Sequence, residues 1–598
     1  MAVTLRSLIG SWMRSEPCTA TMFGKYYQSE LAFIRAAAKA YAEANPSTAG
    51  LLAERGGDPD VERLLEGFAF LAARVRERVD DAVPEVIHEL TEILLPQYLQ
   101  PVPACTIVEM TPAPGALGRR VAAGSEISSV PVDGMRCRFS TTADLDLLPV
   151  SVEDVLVDSS IGAAPVLRVQ FQAARQALPD VFQPKGLRLL LHGELPLASA
   201  LLLCLARHLR CVRVCTAHGV VNLPSSALRL VGLEPELTLL PWPRQAPQGY
   251  RTLQEYFTLP QKLLFFQVRE LHHAKGIAAE SFELAFQLER PPSLPSRVGK
   301  DNIRTNCVPA VNLFRARGEP VAFKTLGEEH MIRAAGFSPL ETEIHTVTSV
   351  VGVTDGPGRR VSYEPFAGSG PGNSGARTRH FRLRRALSPC DGGLDTYISL
   401  PRRLERDEAF EPETLSFDVV ATNRSLPQRL GLGDVSVPTA TSPMMASFRN
   451  IVPVSHPIRP PLGTEIHWRL VAHLAANRAS IASPEGLRAL LGLYNLQILS
   501  DQQSGRANVL RVESVRGVAS ALSHRIIKGA PARGTRFVID VDEAGFAGPG
   551  DAFLFGRALD DLLASQASLT SFVQLALRLN PSLREYAWPP RDGQKALL

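Results

Sequence analysis

The sequence predicts a multidomain α+β protein in which a helical N-terminal region is followed by several β-rich domains. Three observations predict this fold class. The chain has 598 residues, whereas a single hydrophobic core stops growing at roughly 250–300 residues. Three amphipathic helical patterns precede Pro101. Short alternating runs broken by Gly and Pro follow Pro101, as is typical of strands and turns.

The N-terminal helices are predicted over 26–44, 59–79 and 84–95. In the second, Asp58 is a suitable N-cap and Pro59 suits the first helical position. Apolar residues recur there at spacings of three and four, which places them on one face. These residues are Val61, Leu64, Leu65, Phe68, Leu71, Val75 and Val79.

Later helices are predicted at Leu197 to Leu209, near Ser483 to Leu499, and from Phe553 to Gln566. A Gly/Ser-rich run at 367–375 is predicted to be a flexible loop. The predicted divisions are an N-terminal extension at 1–22, a helical assembly region at 23–104, a β-rich domain with one helix at 105–245, a mixed α/β domain at 246–376 and a C-terminal α+β domain at 377–598. Met22 is an alternative start, so the extension need not be part of the protein.

Composition favours a cytoplasmic protein. The net charge of +4 is well below that of a dedicated nucleic-acid binder. Eight scattered Cys in so long a chain do not resemble a disulfide scaffold. The N-terminus is a poor signal peptide, and the longest apolar stretch, Leu195 to Leu205, is too short to span a bilayer.

One group of residues has the ligand types of a zinc site: Cys204, His208, Cys211, Cys215 and His218. The C-x-x-C spacing is absent, and the last two Cys fall in a strand-like alternation. We favour buried small residues beside an ordinary His, and we predict no metal and no cofactor.

Other polar groups have simpler interpretations. His88-Glu89 has Glu92 where a zinc protease helix would place its second His. The glycines at 368–375 are followed by no Lys and are interrupted by Pro371, so a phosphate-binding loop is not favoured. His272-His273 and Glu328-Glu329-His330 have no nucleophile motif beside them and are interpreted as surface polar groups.

A basic run offers a nucleic-acid surface as an alternative. It comprises Arg377, Arg379, Arg382, Arg384 and Arg385, with His380 and Phe381 among them. We favour a solvated strand face, or an interface rim that pairs with acidic neighbours, because the overall charge is modest.

Several sequence blocks, taken in order, resemble one family. They are YYQSELAFIRAAAKAYAEANP, DPDVERLLEGFAFLAARVRERVDDAVPEVIHELTEILLPQYLQPVP, GYRTLQEYFTLPQKLLFFQV, VNLFRARGEPV, ATNRSLPQRL, RPPLGTEIHWRLVAHLAAN and FAGPGDAFLFGRALDDLLASQASLTSFVQLAL. Together they resemble the TssF family of type VI secretion baseplate subunits, from about Tyr26 to Leu577. Residues 1–21 lie outside the family pattern, and Val573 departs from a polar position in its closing motif.

The resemblance implies a structural wedge subunit without catalytic residues or a small-molecule substrate. Its implied partners are TssG, with two copies of this chain per TssG and hence a second copy of itself, together with TssK, the VgrG spike, the sheath and TssE. It implies a cytoplasmic wedge that nucleates the tail tube and sheath. It implies no nucleic acid, and contact with the membrane only through the inner-membrane-anchored complex.

We expect the interaction surfaces to lie on the N-terminal helices and on the closing segment. The candidate interface residues are Tyr26, Tyr27, Leu31, Arg63, Phe68, Phe70, Arg74, Asp80, Asp81, Tyr98, Phe553, Phe555, Leu559 and Phe572. Apart from an assembly subunit, two classes stay open: a metal-dependent effector hydrolase, and a nucleic-acid-binding protein acting through Arg377 to Arg385.

Overall fold

A computed structural model of the chain describes most of the residues between 95 and 593. The gaps are 114–118, 160–163, 243–245, 355–359, 367–378, 389–392, 402–411, 463–480, 528–529 and 569–570. Before residue 95, the described residues are 27, 30–35, 37–38, 60, 63–73 and 91–92.

The predicted helical N-terminal region therefore lies mostly outside the described residues. Within it, 30–35 and 63–73 are helical. The remainder of this region stays a prediction, as does the extension at 1–22.

Strands follow one another closely from residue 105 onward. The strands up to residue 191 are β1 (Cys105–Pro112), β2 (Arg119–Val121), β3 (Glu126–Val132), β4 (Met135–Thr141), β5 (Leu145–Leu147), β6 (Val150–Asp158), β7 (Val166–Ala173) and β8 (Leu187–Leu191). The next group is β9 (Leu209–Thr216), β10 (Gly219–Pro224), β11 (Leu228–Leu230), β12 (Phe265–Val268), β13 (Ser281–Leu288), β14 (Ile303–Arg304), β15 (Cys307–Val311), β16 (Phe314–Arg317), β17 (Val321–Phe323) and β18 (Glu329–Met331). The last group is β19 (Glu343–Thr354), β20 (Arg360–Pro365), β21 (Arg379–Leu387), β22 (Leu394–Ser399), β23 (Glu413–Thr422), β24 (Val437–Pro438), β25 (Ala446–Asn450), β26 (Val515–Ile527), β27 (Ala530–Asp542), β28 (Ser571–Asn580), β29 (Glu585–Ala587) and β30 (Arg591–Asp592).

The α-helices that accompany these strands are α1 (Leu178–Val181), α2 (Leu195–Arg207), α3 (Gln248–Thr258), α4 (Pro484–Tyr494), α5 (Gln502–Glu513) and α6 (Pro549–Gln566). Local sequence explains where several begin. Ser483 caps α4 by accepting the Gly486 N–H, and Asp501 caps α5 by accepting the N–H groups of Gln503 and Ser504. The mixed content confirms the α+β class, and the helices predicted after Pro101 are present with small shifts at their ends. None of the described helices combines the length and apolar content needed to span a bilayer.

The strands form several sheets around two separate cores. The six-stranded sheet has the order β24-β3-β4-β15-β1-β25, and the five-stranded sheet β10-β9-β13-β7-β6 and four-stranded sheet β11-β12-β8-β14 lie next in the chain. A further sheet, β26-β27-β28-β29 with β30 beside β28, packs against α6. The larger core joins these sheets with α2, α3, α4 and α6.

The second core is smaller and belongs to one stretch of chain, Phe314 to Ala421. It lies on an eight-stranded sheet. Seven strands have the order β16-β23-β19-β20-β21-β22-β18, and the eighth, β17, pairs with β23. Its first and last strands are neighbours, with Phe314 opposite Ala421.

Two asparagines lie where the chain enters and leaves this stretch. The Asn312 side-chain amide donates to the Asn423 side-chain oxygen at 2.9 Å, and the Asn423 backbone N–H donates to the Asn312 side-chain oxygen at 2.8 Å. Both also hydrogen bond to the backbone of Arg138 in β4. The junction is thereby joined to the six-stranded sheet.

Strand pairing does not follow two of the predicted domain boundaries. The boundary at 376/377 separates β20 from β21, yet these strands pair in parallel within one sheet. The boundary at 245/246 separates β9 from β13, which also pair. A Gly/Ser-rich run is equally suited to joining two strands of one sheet. The division of the chain into domains stays a prediction.

Candidate protein interface

The helical segment 63–73 carries apolar side chains that face solvent. Leu64, Phe68 and Leu71 are 73%, 64% and 62% exposed. Their spacings of four and three residues place them on one helix face. Phe70 on the same segment and Phe33 on segment 30–35 are also exposed. We call Phe33, Leu64, Phe68, Phe70 and Leu71 the N-terminal apolar surface.

The opposite face of this helical segment is buried. Ala69 and Ala73, four residues apart, are fully buried. The two segments are joined by an ion pair between Arg35 and Glu66, whose Nη2 and Oε1 atoms lie 3.8 Å apart. An apolar face left exposed while small residues fill the inner face is typical of a helix that packs against a partner.

The closing segment is placed differently from the prediction. Phe553, Phe555 and Leu559 on α6 and Phe572 on β28 are all buried. Their contacts are within the chain, since Phe553 stacks on Trp588 with ring centroids 5.5 Å apart. These four side chains are part of the chain's own core and present no surface to a partner in this conformation. An interface role for the outside of this segment stays a prediction.

Helix α6 is packed closely by its neighbours, which explains its burial. A Cβ added at Gly249 of α3 would lie 2.5 Å from the Leu562 Cα. A Cβ at Gly550 would lie 2.5 Å from the Ala200 backbone nitrogen of α2. Glycines at these two positions allow the helix backbones to approach each other.

Charged groups on α6 are paired inside the chain. Asp560 and Asp561 contact Arg591 at 3.3 and 2.8 Å, and Thr252 donates to Asp561 at 2.5 Å. Burial raises the pKa of Asp560 to about 6, against the lowering effect of Arg591. Burial lowers the pKa of Arg557 to about 10. The Asp560 and Asp561 carboxylates therefore bind groups of this chain.

The remaining predicted interface residues divide into three groups. Tyr98 is buried, and the centroid of its ring lies 5.6 Å from that of Tyr494. Its side chain is therefore part of the core. Tyr27 and Leu31 are partly buried, and Arg63 is exposed beside Asp60. The other members lie outside the described residues or side chains: Tyr26, Arg74, Asp80 and Asp81.

Comparison with known proteins decides the family. The sequence profile described as "Type VI secretion system, TssF" matches residues 19–595. This chain belongs to the TssF family.

Individual relatives agree with this assignment. The type VI secretion system component TssF1 of Pseudomonas aeruginosa is 30% identical over 621 residues, covering 96% of this chain and 98% of its own. A chain in a cryo-electron microscopy structure of the TssK-TssF-TssG baseplate subcomplex is 28% identical, with a TM-score of 0.73 over 89% of this chain and 99% of its own. A chain in a structure of the type VI secretion baseplate complex is 25% identical, with a TM-score of 0.64 over 96% of this chain and 100% of its own.

The TssF-like block GYRTLQEYFTLPQKLLFFQV forms a buried part of the core. In it, Glu255 Oε1 accepts the backbone N–H groups of Leu239 and Leu240 at 2.9 and 3.0 Å. Its Oε2 accepts from the Lys262 ammonium, and both side chains are almost fully buried. The block therefore has a structural role, in which one carboxylate connects three segments of chain.

Of the candidate zinc ligands, Cys204 lies on α2, and Cys211 and Cys215 lie on β9. His208 lies between these two elements, and His218 lies in the turn after β9. Cys204 is buried on α2, and burial raises the pKa of its thiol to about 11. The Cys211 thiol donates to Gln287 at 3.0 Å, and His208 Nε2 lies 2.6 Å from an Arg290 nitrogen. Among the described residues, no cluster of three or more Cys, His, Asp or Glu has the geometry to hold a metal ion.

The arginines of the basic run contact groups of this chain. Arg379 donates to Glu413 at 3.1 Å, and Arg384 donates to Glu329 at 2.7 Å. Arg385 is partly buried and donates to the Leu99 carbonyl at 2.6 Å. These contacts fit a strand face paired with acidic neighbours. Arg377, the 368–375 glycines and His88-Glu89 lie outside the described residues.

The remaining polar groups contact other side chains of this chain. His330 Nε2 lies 3.4 Å from Glu328, and the Thr325 hydroxyl, with His330, lowers the pKa of that carboxyl. A cleft of about 690 Å³ contains Glu109, which pairs with Arg304 and Arg449 at 3.4 and 3.1 Å. The Glu109 carboxylate in this cleft is thus paired with two arginines of the same chain.

One exposed apolar surface was missed by the sequence reasoning. Leu522 and Ile526 on β26 are 83% and 80% exposed. Their alternation is visible in the sequence and predicts a strand, but it does not tell which face of that strand is covered.

Proposed function

We propose that this chain is a structural subunit of the type VI secretion baseplate that assembles with TssG and TssK. The observation that carries the proposal is the likeness, over nearly the whole chain, to a TssF-family chain from a TssK-TssF-TssG subcomplex. The N-terminal apolar surface supports it, because exposed apolar side chains on one helix face are typical of docking between helices.

The finer features of the proposal follow from the family resemblance. Two copies of this chain associate with one TssG and with each other, and TssK joins the same wedge. Wedges surround the VgrG spike and bear the sheath, the inner tube and TssE. The chain acts by contact and catalyses no reaction. It is cytoplasmic and reaches the membrane-anchored complex through its partners.

The exposed apolar helix face gives the proposal a physical basis. Burying Leu64, Phe68 and Leu71 against a partner stabilises a complex by about 1.5–3 kcal/mol for each fully buried side chain. Part of that free energy offsets the loss of freedom on association. The side chains need no rearrangement to become available, since they are already exposed.

Co-production with TssG tests the proposal. We expect a stable complex with two copies of this chain per TssG, measured by light scattering after gel filtration. The triple variant Leu64→Asp, Phe68→Asp, Leu71→Asp should lose the complex while keeping its own melting temperature. Leu156→Asp is the matched control, because Leu156 is exposed on the edge strand β6. A chain that purifies as a monomer beside TssG, or a triple variant that still binds, would contradict the proposal.

A further inference from the structure

Strands β26 and β27 form the longest described hairpin, and β26 has a free edge. They pair along their length, from Val515 opposite Val541 to Ile527 opposite Ala530. On its other side β27 pairs with β28, whereas β26 has no second partner among the described residues. A thirteen-residue strand is about 40 Å long. Its edge therefore presents a long row of unpaired backbone N–H and C=O groups.

One face of this hairpin continues the apolar face of the sheet. Residues opposite each other in an antiparallel pair share a face. Ser520 lies opposite Phe537, and Leu522 lies two residues further along β26. Phe537 is buried in the core, but Leu522 and Ile526 on the same face are exposed. The apolar face thus extends beyond the part of the sheet that the core covers.

The same hairpin is basic. The sequence from 516 to 539 has five basic residues and no Asp or Glu. These residues are Arg516, Arg525, Lys528, Arg533 and Arg536. Arg516 and Arg536 have acidic neighbours, Asp542 at 3.0 Å and Glu585 at 3.6 Å. Arg525 and Arg533 are exposed and have no ion-pair partner in the part of the chain that the structure describes.

We propose that the β26 edge binds an extended, acidic segment of another protein, which adds a strand to this sheet. The free edge supplies main-chain hydrogen bonds, Leu522 and Ile526 supply apolar contacts, and Arg525 and Arg533 select acidic side chains. A nucleic acid or an anionic lipid surface would use the charges but not the row of backbone groups. The hairpin is distinct from the N-terminal apolar surface, so this inference does not rest on the proposed binding of TssG.

Site-specific photo-crosslinking of the full chain tests the inference. The photoreactive residue p-benzoylphenylalanine is placed at 522 or 526, in cells that make the complete secretion system. We expect both positions to capture one protein, in a segment with more Asp and Glu than Lys and Arg. The two captured sites should lie about four residues apart, as strand pairing requires. The same residue placed at Val220, which is exposed on the edge strand β10, is the matched control.

Reversing the charge of two arginines distinguishes specific binding at the β26 edge from non-specific association. The double variant Arg525→Glu, Arg533→Glu should lower the crosslink yield about tenfold, since two attractive pairs become repulsive. The control is Arg315→Glu, Arg317→Glu, which reverses two exposed arginines on the edge strand β16 and should leave the yield unchanged. Melting temperatures of both variants should match that of the unmodified chain.

Several results would overturn the inference. They include no crosslinked protein, crosslinks scattered over unrelated proteins, and capture of a segment without acidic excess. Two binding assays with the purified chain test the other sources of negative charge: vesicles of phosphatidylcholine and phosphatidylglycerol, and a single-stranded oligodeoxynucleotide. Binding to either that the Arg525→Glu, Arg533→Glu variant loses would assign the hairpin to that ligand instead. Because TssG binding is measured separately, failure here leaves the proposed function standing.

Discussion

Helix α6 and the helical segment 63–73 are both rich in apolar side chains, but they use them in opposite ways. Phe553, Phe555 and Leu559 of α6 are enclosed by the chain's own helices and sheet. Phe68 and Leu71 of the N-terminal segment face outward. The same apolar periodicity therefore marks a buried core helix in one region and an exposed apolar face in the other. What differs is whether the fold supplies the covering layer.

The two helices also differ in the surroundings of their glycines and of their ion pairs. Gly249 of α3 lies against the α6 backbone, whereas Gly67 in the N-terminal segment has nothing within 4 Å of where its Cβ would be. Glu255 and Lys262 form a buried pair beside α6, whereas Arg63 and Asp60 pair in full contact with solvent. Each pair of positions allows a matched test.

The largest effect is expected from truncating a phenylalanine. Phe555→Ala should destabilise the chain by about 3–5 kcal/mol, because it leaves a cavity in a well-packed core. Phe68→Ala should change stability by less than about 0.5 kcal/mol, because its ring is exposed. Thermal unfolding followed by tryptophan fluorescence measures both. Equal losses in the two variants would show that segment 63–73 is also held by its own core.

The buried ion pair should come next. Lys262→Met should destabilise the chain by about 3 kcal/mol, because Glu255 would keep a buried charge with only its backbone donors and the more distant Arg251. Adding Glu255→Gln should recover part of the loss. Arg63→Ala is the exposed counterpart and should have no measurable effect. Similar melting temperatures for the Lys262 variant and the unmodified chain would contradict a charged pair at this place.

The buried Asp560 predicts a pH effect of about 2 kcal/mol. Burial raises its pKa in the folded chain from the ordinary value of 3.8 to about 6. A raised carboxyl pKa favours folding at low pH, and this contribution is lost as the pH rises from about 4 through 6. Asp560→Asn should therefore lose less stability between pH 4 and pH 7 than the unmodified chain does. Parallel melting curves for the two proteins over this range would contradict the raised pKa.

The smallest effects are expected from glycine substitutions of opposite sign. Gly249→Ala should destabilise by about 1–3 kcal/mol, because the added methyl group would overlap the Leu562 Cα. Gly67→Ala should stabilise by about 0.5–1 kcal/mol, because alanine is the better helix former and the site is open. Melting temperatures that shift in the same direction would remove the contrast between the two helices.

Sequence reasoning predicted the α+β class, the family and the helices after Pro101, because local periodicity and turn residues determine these features. It proposed Phe553, Phe555, Leu559 and Phe572 as interface residues without predicting that the fold buries them, and it missed the exposed face of β26. Periodicity shows that a face is apolar, but the identity of the covering layer depends on tertiary packing. The pairing of β20 with β21 across residue 376 was not predicted for a related reason, since strand neighbours that lie far apart in the sequence are not visible in local composition.

The paired asparagines at the entrance to the second core have a consequence for how this family can vary. Because Phe314 and Ala421 are neighbours, the stretch between them is an insertion that leaves the parent fold and returns at one place. Asn312 and Asn423 bind each other and β4 at that place. The base of the inserted unit is therefore held by side-chain hydrogen bonds as well as by strand pairing. We therefore expect changes in the length of its outer loops to leave the six-stranded sheet at its base in place.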